Sequence, residues 1–579
     1  MQELRDWKFA LDQGERGEGN GWYRADYPHE AWLPVEAYSC WENYDPSMAD
    51  YRGCGWFWTE VPVGDPSRRL ALVFDRIGGR AKVFVNGKMV GGTECRYLPF
   101  RIELGRAAEE TGRLSIAVLV DNRFRGVYHL PGANKVEWML YGGLTHHVYL
   151  EEEDPVRIAK MQLTAGADGR IRWQVLVENA DTRPFHGHIR LEVADLPECV
   201  LEEEVVCGGA SSLCLERETT AKTPQLWSPE APNLYTAAAV LIDEKGREYA
   251  RQECRTGFRT VEVRGAEILL NGKPLLIKGV NRYDEIVPYG ICPPEEKIRE
   301  ELKAIKDLGC NLIRTHYPQD PVHYRIADEI GLMYLIEIPL NLWHPSEESA
   351  PESFEGLWRE AEEVTRGIWR HFSHHPSWVI WSCGNECFLT KPALLLFRRL
   401  ADTMRSLKTG RLITLVTHSA WTAREGLDFC DVISHNNYAG AIGSYTRSAY
   451  MAAMKAVLKR SYEPISSFYP DKPLLITEFG LVSLVGFHGS KEDGHLTEEY
   501  AAAFIESLAE ELMKNPNLCG MILWCYADYR HERGFFTCNG MRIDATAGPY
   551  GLVSQDRREK TVVIESFRRI LKKLDEECG

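Results

Sequence analysis

Two glutamates stand at the ends of apolar segments. Glu386 closes WSCGNE and Glu478 lies in LLITEFG. Two carboxyl groups can flank a glycosidic bond, where one donates a proton to the leaving oxygen and the other attacks the anomeric carbon. A separation of about 5–5.5 Å between them retains the configuration of the sugar. We therefore predict a sugar-cleaving site. A buried ion pair is the alternative, because Arg314 could neutralise one carboxylate.

Both glutamates fall in a region, from about residue 262, where apolar strands alternate with amphipathic helices. The first helix has Pro294 in its first turn and stops at Gly309, so both of its ends carry the expected signals. Eight such units predict a (β/α)8 TIM barrel, in which the fourth and seventh strands face each other across the mouth. The candidate strands are 274–283, 311–317, 333–339, 378–386, 412–418, 432–438, 473–480 and 520–528.

The carboxyl ends of these candidate strands are unusually polar. Strands of a parallel barrel are buried along most of their length, so charged groups at one end have a desolvation cost that packing does not explain. We therefore expect the active site at this end of the barrel. The polar and aromatic residues there are Asn281, Tyr283, Asp284, Arg314, His316, Glu337, Asn385, Glu386, His418, His435, Asn436, Tyr438, Glu478, Trp524 and Asp528.

The chain before the barrel is rich in short strands and almost free of helical periodicity. Residues 1–154 predict a β-sandwich, residues 155–261 a smaller immunoglobulin-like sandwich, and residues 262–579 the barrel. The candidate strands of the two sandwiches are 56–63, 70–75, 81–87, 114–122, 170–179, 188–195 and 234–243.

Composition excludes several classes of protein. The 68 basic and 84 acidic residues give a net charge of −16, and no long basic run appears, so neither a nucleic acid nor a membrane is the expected partner. The N-terminus has no secretion signal, and no window approaches 18 uninterrupted apolar residues. The 16 cysteines lack CxxC pairs and metal-ligand spacing, which predicts buried reduced thiols in a cytoplasmic protein rather than a disulfide framework.

The motifs SCGNE and ITEFG resemble the acid/base and nucleophile motifs of family 2 glycoside hydrolases, which include β-galactosidases, β-glucuronidases and β-mannosidases. The resemblance extends over nearly the whole chain and implies a jelly-roll sandwich, an immunoglobulin-like sandwich and a TIM barrel, in that order. Further matching segments are VFVNGKMVGG, YGGLTHHVYLE, LWSPEAPNLY, NGKPLLIKGVNRYDE and NLIRTHYPQDP.

This resemblance makes Glu478 the nucleophile and Glu386 the general acid/base. Arg314 and Tyr438 within reach of Glu478 would hold it ionised, whereas Glu386 at an apolar strand end can keep a raised pKa and its proton. The other implied roles are Asn385 as a donor to the sugar 2-hydroxyl, Trp524 as an aromatic floor or else a core residue, His316 and Asp284 as hydroxyl-binding groups, and His418 and His435 as either ligand contacts or barrel packing.

This sequence departs from the family pattern at two places that affect the predicted sugar specificity. Tyr283 stands where the family usually has histidine. Gly548 and Tyr550 fall where β-glucuronidases carry an Asn-x-Lys clamp for the substrate carboxylate, and Tyr550 could instead contact the C6 hydroxymethyl group. We therefore predict a neutral hexoside of the β-galactoside type. A β-glucuronide or β-galacturonide is the alternative, with the clamp supplied by Arg530, Arg533 or Arg542, which could equally be solvated loop charges.

The sequence thus predicts a retaining exo-β-glycosidase that acts on a small carbohydrate or glycoconjugate. No cofactor and no metal site are predicted, because no compact acidic cluster appears; some family β-galactosidases use Mg²⁺. A homo-oligomer is expected. A non-catalytic carbohydrate-binding protein is the remaining alternative, and it is disfavoured because both glutamates, Asn385, Tyr438 and Arg314 are all present.

Overall fold

A computed structural model describes residues 1–132, 136–346, 348–418, 426–441, 446–532, 535–538 and 541–578, with backbone alone at 351, 535–538 and 541–544. The chain forms two β-sandwiches followed by a closed parallel barrel, which confirms the predicted fold class. We keep the predicted limits 1–154, 155–261 and 262–579 as names for the first sandwich, the second sandwich and the barrel.

The first sandwich packs a six-stranded antiparallel sheet against a four-stranded one. Alternate residues of the central strands, such as Ile116 and Val118, point inward and have no exposed surface, as expected for sheets that cover each other on one face. The larger sheet contains, in spatial order, Leu33–Glu36, Asp6–Asp12, Cys54–Pro62, Arg113–Asp121, Arg80–Val85 and Lys88–Thr93, and the smaller contains Gln2–Glu3, Val148–Glu153, Arg69–Phe74 and Phe100–Gly105.

The second sandwich is smaller and also antiparallel. Its core is built from alternating residues such as Trp173 and Val175, which face Ile189 of the opposite sheet. One sheet contains Val156–Ala165, Arg170–Asn179 and Ser211–Thr220, and the other Leu201–Cys207, Phe185–Val193, Tyr235–Asp243 and Glu248–Thr256. The strands Val261–Arg264, Glu267–Leu270 and Lys273–Pro274 then lead into the barrel.

The barrel closes where its first strand pairs with its eighth, at Val280 beside Leu523. Its strands are short and buried because helices cover their outer face, which explains their continuous apolar sequence. They are β1 (Ile277–Asn281), β2 (Leu312–Thr315), β3 (Met333–Glu337), β4 (Trp378–Asn385), β5 (Leu412–His418), β6 (Ile433–Asn436), β7 (Leu474–Glu478) and β8 (Leu518–Leu523).

The helices that surround the barrel bury one apolar face each. In the first of them, Ile298, Leu302 and Ile305 are buried at spacings of four and three. Among the described residues, no helix is long and apolar enough to cross a membrane. The helices are α1 (Glu295–Asp307), α2 (Pro321–Ile330), α3 (Glu355–Phe372), α4 (Lys391–Ser406), α5 (Arg447–Val457), α6 (Glu463–Phe468), α7 (Glu498–Leu512) and α8 (Thr561–Cys578).

The first sandwich docks on the carboxyl end of the barrel. Arg76 of the sandwich forms a 2.6 Å ion pair with Asp284, which follows β1, and both side chains are almost completely buried. Nearby, Trp138 packs against His316, which follows β2. The first sandwich therefore forms one wall of the barrel mouth.

Candidate active site

Glu478 is the last residue of β7, and both of its carboxyl oxygens accept hydrogen bonds. Arg314 in β2 donates to Oε1 at 2.7 Å, and the Tyr438 hydroxyl donates to Oε2 at 2.7 Å. Burial and the charge of Glu478 raise the pKa of Tyr438, so its hydroxyl keeps the proton that it donates. The arrangement provides a fixed carboxylate whose charge is balanced by a guanidinium.

Arg314 is fully buried and organises the floor of the site. Its guanidinium also donates to Glu337 at 3.0 Å and to the side-chain oxygen of Asn385 at 2.8 Å. Glu337 accepts a second bond from His316, with 2.8 Å between Oε1 and Nδ1. Although burial alone would raise the pKa of Glu337, the Arg314 charge and the His316 bond lower it below its ordinary value. One cation thus pairs with two carboxylates in a dry site.

Glu386 follows β4 and has a backbone φ of 50°, in the left-handed region that side chains other than glycine adopt at a cost. Its Oε1 accepts a 2.7 Å hydrogen bond from Asn436 in β6. Burial and then the nearby charge of Glu478 raise the pKa of Glu386 well above the ordinary value of a glutamate. Glu386 therefore keeps its proton at a pH where an exposed glutamate has lost it.

Asn385, next to Glu386, links the two glutamates through its side-chain oxygen. This oxygen accepts from Arg314 at 2.8 Å and from Asn436 at 3.0 Å. Its amide nitrogen donates one proton to Asn341 at 2.7 Å and keeps a second N–H. That second donor is available to a sugar hydroxyl.

Aromatic rings enclose the space above the glutamates. Trp524, directly after β8, has only 6% of its surface exposed and meets Tyr283 at 5.7 Å and Tyr529 at 5.6 Å, both edge to face. The Tyr283 hydroxyl has no hydrogen-bond partner. A buried hydroxyl without a partner is costly, and a bound sugar would supply one.

Three other residues were predicted to contact the sugar, and two of them are already engaged by the protein. Asp284 is closed off, because its carboxylate pairs with Arg76 and accepts a 2.8 Å bond from Tyr317. His435 packs within the barrel, with its Nδ1 3.1 Å from the Thr417 hydroxyl, and burial lowers its pKa to about 3. His418 at the end of β5 lies near the site, and burial lowers its pKa as well, so its ring is uncharged at neutral pH.

Glu137 of the first sandwich is an acidic residue at this mouth that no sequence motif pointed to. It is half-buried beside Trp138, and its charge acts on Glu386 and on His418. Its position depends on docking between segments far apart in the chain, so no local pattern points to it. Asn436, Glu337 and Tyr283 were among the polar and aromatic residues predicted at the strand ends, but no catalytic or hydroxyl-binding role was assigned to them.

The loop after β8 contains Gly548 and Tyr550, where the family resemblance leads us to expect the Asn-x-Lys motif. Its backbone is fixed by the buried ammonium of Lys560, which donates to the carbonyl of Pro549 at 3.0 Å and pairs with Asp528 at 2.8 Å. Tyr550 packs in the aromatic cluster of Trp524 and Tyr529.

Of the three arginines predicted as a substitute clamp, the structure describes the side chain of Arg530 alone. Arg530 points to the first sandwich, where it donates to Asp50 at 2.9 Å and to the carbonyl of Ala49. Arg533 and the side chain of Arg542 lie outside the described residues. Within the described part of the chain, no group of three or more histidine, cysteine, aspartate or glutamate side chains could hold a metal ion.

The geometry therefore supports acid and nucleophile chemistry from two unlike carboxyl groups. Glu478 is held by a guanidinium and a phenol, and the pKa of Glu386 is raised by burial and by the charge of Glu478. This division is what cleavage of a glycosidic bond by double displacement requires.

Known proteins resemble this chain over about two thirds of its length or more. The family model "Glycosyl hydrolases family 2, TIM barrel domain" matches residues 261–572, and the model "Glycosyl hydrolases family 2" matches residues 156–259. A β-glucuronidase of Paenibacillus borealis is 24% identical over 571 residues, which cover 93% of either chain. A β-galactosidase of Pectobacterium atrosepticum is 26% identical over 418 residues, 66% of this chain and 39% of the relative.

A solved structure has the same arrangement of domains. It is a β-galacturonidase of Eisenbergiella tayi bound to galacturonate, with a TM-score of 0.83 and 25% sequence identity. The match covers 99% of this chain and 97% of that one.

Proposed function

The chain belongs to family 2 of the glycoside hydrolases and is a glycosidase, and from this premise we propose that it is a retaining exo-β-glycosidase with Glu478 as nucleophile and Glu386 as general acid/base. The observation that carries the assignment is the unlike environment of the two carboxyl groups. Arg314 and Tyr438 bond to Glu478, while burial raises the pKa of Glu386.

The proposed reaction has two displacements. A carboxylate oxygen of Glu478 attacks the anomeric carbon while Glu386 gives its proton to the glycosidic oxygen, so that the bond to the aglycone breaks and a glycosyl ester forms. Glu386, now ionised, takes a proton from water, which attacks the same carbon and displaces Glu478. Two inversions retain the configuration.

The sugar is proposed to be held by polar groups around the two glutamates and by one aromatic ring. The free N–H of Asn385 is placed for the 2-hydroxyl, and a contact there strengthens in the transition state. The unpaired hydroxyl of Tyr283 and the carboxylate of Glu137 are proposed to bind other ring hydroxyls, with Trp524 against the apolar face of the ring. His316, which bonds to Glu337, is proposed to contribute its Nε2.

At C6, the described pocket favours a neutral substituent. Gly548 and Tyr550 replace the clamp, Arg530 is engaged by Asp50, and His418 is uncharged. Glu137 adds a negative charge. An uncompensated uronate would cost several kcal/mol in a partly closed site. A neutral β-hexoside of the β-galactoside type is therefore the proposed substrate.

A uronide is the second candidate, and one observation favours it. The proteins whose match covers nine-tenths or more of this chain include a β-glucuronidase and a β-galacturonidase, whereas the β-galactosidase match covers 66%. A β-galacturonide or β-glucuronide would require a cation such as Arg533 or Arg542.

The four β-linked nitrophenyl glycosides of galactose, glucose, glucuronate and galacturonate decide between these candidates. A higher kcat/KM for either neutral sugar supports the first. Preference for a uronide, abolished by Arg533→Ala or Arg542→Ala, would replace it by the second.

Glu137→Gln should raise the ratio of uronide to neutral activity, because it removes a like charge. Glu152→Gln on the exposed surface of the same sandwich is the matched control. The expected homo-oligomer and cytoplasmic location stay predictions, and light scattering tests the first.

A further inference from the structure

A cavity of about 380 Å³ lies between the second sandwich and the amino end of the barrel. Pro376 and Arg411, which line it, stand just before β4 and β5, so the cavity is on the opposite side of the barrel from the glutamates. Its volume is in the range of small-molecule sites, about 300–1,000 Å³.

The lining of this cavity is strongly basic in a chain with a net charge of −16. Among the described residues that line it, Asp168 is the only acidic one. Two of the cations, Arg259 and Arg411, are only 6% and 8% exposed. The basic residues of the lining, other than histidines, are Arg170, Arg172, Arg259, Lys408 and Arg411.

No carboxylate in the described part of the chain forms an ion pair with either of the two buried guanidiniums. Their hydrogen bonds all go to backbone carbonyls, which solvate a cation without neutralising it. Asp328 is the one carboxylate whose charge acts on them, and it is already bonded to His375. Burial therefore lowers the pKa of Arg259 to about 10, and burial with the charge of Arg259 lowers the pKa of Arg411. Unpaired buried charge of this kind is costly.

Hydrogen-bond donors remain on both guanidiniums. Each has five N–H groups, of which Arg259 uses three and Arg411 uses four, so two and one are left. The accepting carbonyls belong to Pro376, Trp378 and Gly410 for Arg259, and to Ser373, His375, Trp378 and Thr409 for Arg411.

Ser373 provides an independent observation at the same cavity. It lines the cavity, has 1% of its surface exposed, and its hydroxyl has no hydrogen-bond partner. Lys408 also lines the cavity and is exposed. Three spare guanidinium N–H groups, an unpaired hydroxyl and an ammonium thus belong to residues that line one basic cavity.

We propose that this cavity binds a small tetrahedral oxyanion of the phosphate or sulfate type, free or as the anionic group of a small metabolite. The anion accepts from Arg259, Arg411 and the Ser373 hydroxyl and pairs with Lys408 at the rim. Because the second sandwich and the barrel both line the cavity, the bound anion joins them and stabilises the folded chain.

Thermal unfolding of the full chain at constant ionic strength tests the proposal, with inorganic phosphate and glycerol phosphate as probes and chloride as the reference anion. A saturable rise of Tm with inorganic phosphate supports a free anion, and one seen only with glycerol phosphate supports an esterified one. Calorimetry should give one site per chain. No saturable rise with either probe overturns the proposal.

Two serine variants locate the binding. Ser373→Ala removes an unpaired hydroxyl, so it should leave Tm without phosphate unchanged or slightly higher, yet weaken phosphate binding at least tenfold. Ser377→Ala is the matched control, because its hydroxyl is also buried and unpaired but does not line the cavity. Lys408→Gln should weaken binding as well. An equal phosphate response in wild type, Ser373→Ala and Lys408→Gln would overturn the proposal even if phosphate stabilises the protein.

Discussion

The side-chain amide of Asn436 donates a 2.7 Å hydrogen bond to Oε1 of Glu386. This bond favours the ionised carboxylate, so it opposes the burial that raises the pKa of Glu386. Burial therefore raises the pKa of Glu386 by more than the bond from Asn436 lowers it.

Removing that donor should shift the pH profile of activity. In Asn436→Ala, the pKa of Glu386 should rise further, and the upper limb of kcat/KM should move to higher pH by on the order of one unit. Asn437→Ala, the neighbouring asparagine, is the control and should leave the limb in place. An equal shift in both variants, or a shift to lower pH in Asn436→Ala, would contradict the role of the bond.

Glu478→Gly should lower the turnover of an activated glycoside by about 10⁴-fold or more, because no covalent intermediate can form. Azide should restore part of the rate by attacking from the vacated side, and the glycosyl azide should have inverted configuration. NMR of the product distinguishes the anomers. A variant with full activity, or an azide product of retained configuration, would rule out Glu478 as the nucleophile.

Glu386→Ala should harm substrates with poor leaving groups far more than those with good ones, because a phenolate of low pKa departs without a proton and an alkoxide does not. The measurement is kcat/KM across a series of aglycones. Here azide should give a product of retained configuration, opposite to the Glu478 variant. A uniform loss across the series would exclude proton donation by Glu386.

Glu386→Gln should stabilise the fold in a pH-dependent way. When the pKa of a carboxyl is raised on folding, the folded protein has its full stability at pH values below the ordinary pKa of 4.5. It loses stability as the pH rises through the raised pKa. The Tm difference between variant and wild type should therefore be near zero at about pH 4 and grow above it. The exposed Glu152→Gln should give no such trend. A difference independent of pH would mean that Glu386 ionises freely.

Arg76→Met should destabilise the contact between the first sandwich and the barrel, because it leaves Asp284 buried without its cation. We expect a loss of about 3–5 kcal/mol in the free energy of unfolding, partly recovered by adding Asp284→Asn. The Arg76 charge lowers the pKa of Asp284 despite its burial, so the loss should be full above about pH 4 and shrink as pH falls further. The exposed pair of Arg190 and Glu202 is the control, where Arg190→Met should cost less than about 1 kcal/mol.

Much of the fold could be predicted from the sequence because buried parallel strands have continuous apolar sequences. The segment 378–386 predicted a strand, and the structure has Trp378–Asn385. The predicted first helix ends at Gly309, and the structure has Glu295–Asp307 with Pro294 outside it as the N-cap. Here the proline marks the boundary rather than the first turn, since its ψ is extended.

The candidate site could be predicted only as far as strand ends define it. Glu386, Glu478 and Arg314 are at such ends, so barrel geometry brings them together. Asp284 is closed off by Arg76, which lies 208 positions earlier in the chain. The position of Glu137 likewise depends on the docking of the first sandwich on the barrel. Contacts between separately folded sheets leave no periodic signature in the sequence, so these two residues required the structure.

The wall that the first sandwich adds to the barrel mouth has a consequence for synthesis of the chain. Trp138 is made 386 residues before Trp524, as their positions give by difference. At about 5–20 residues per second, the ribosome adds that length in roughly 20–80 s. During this interval the first sandwich can fold, yet the surface around Trp138 has no barrel to cover it. The growing chain thus completes the aromatic cluster of Trp138 and Trp524 only when β8 emerges.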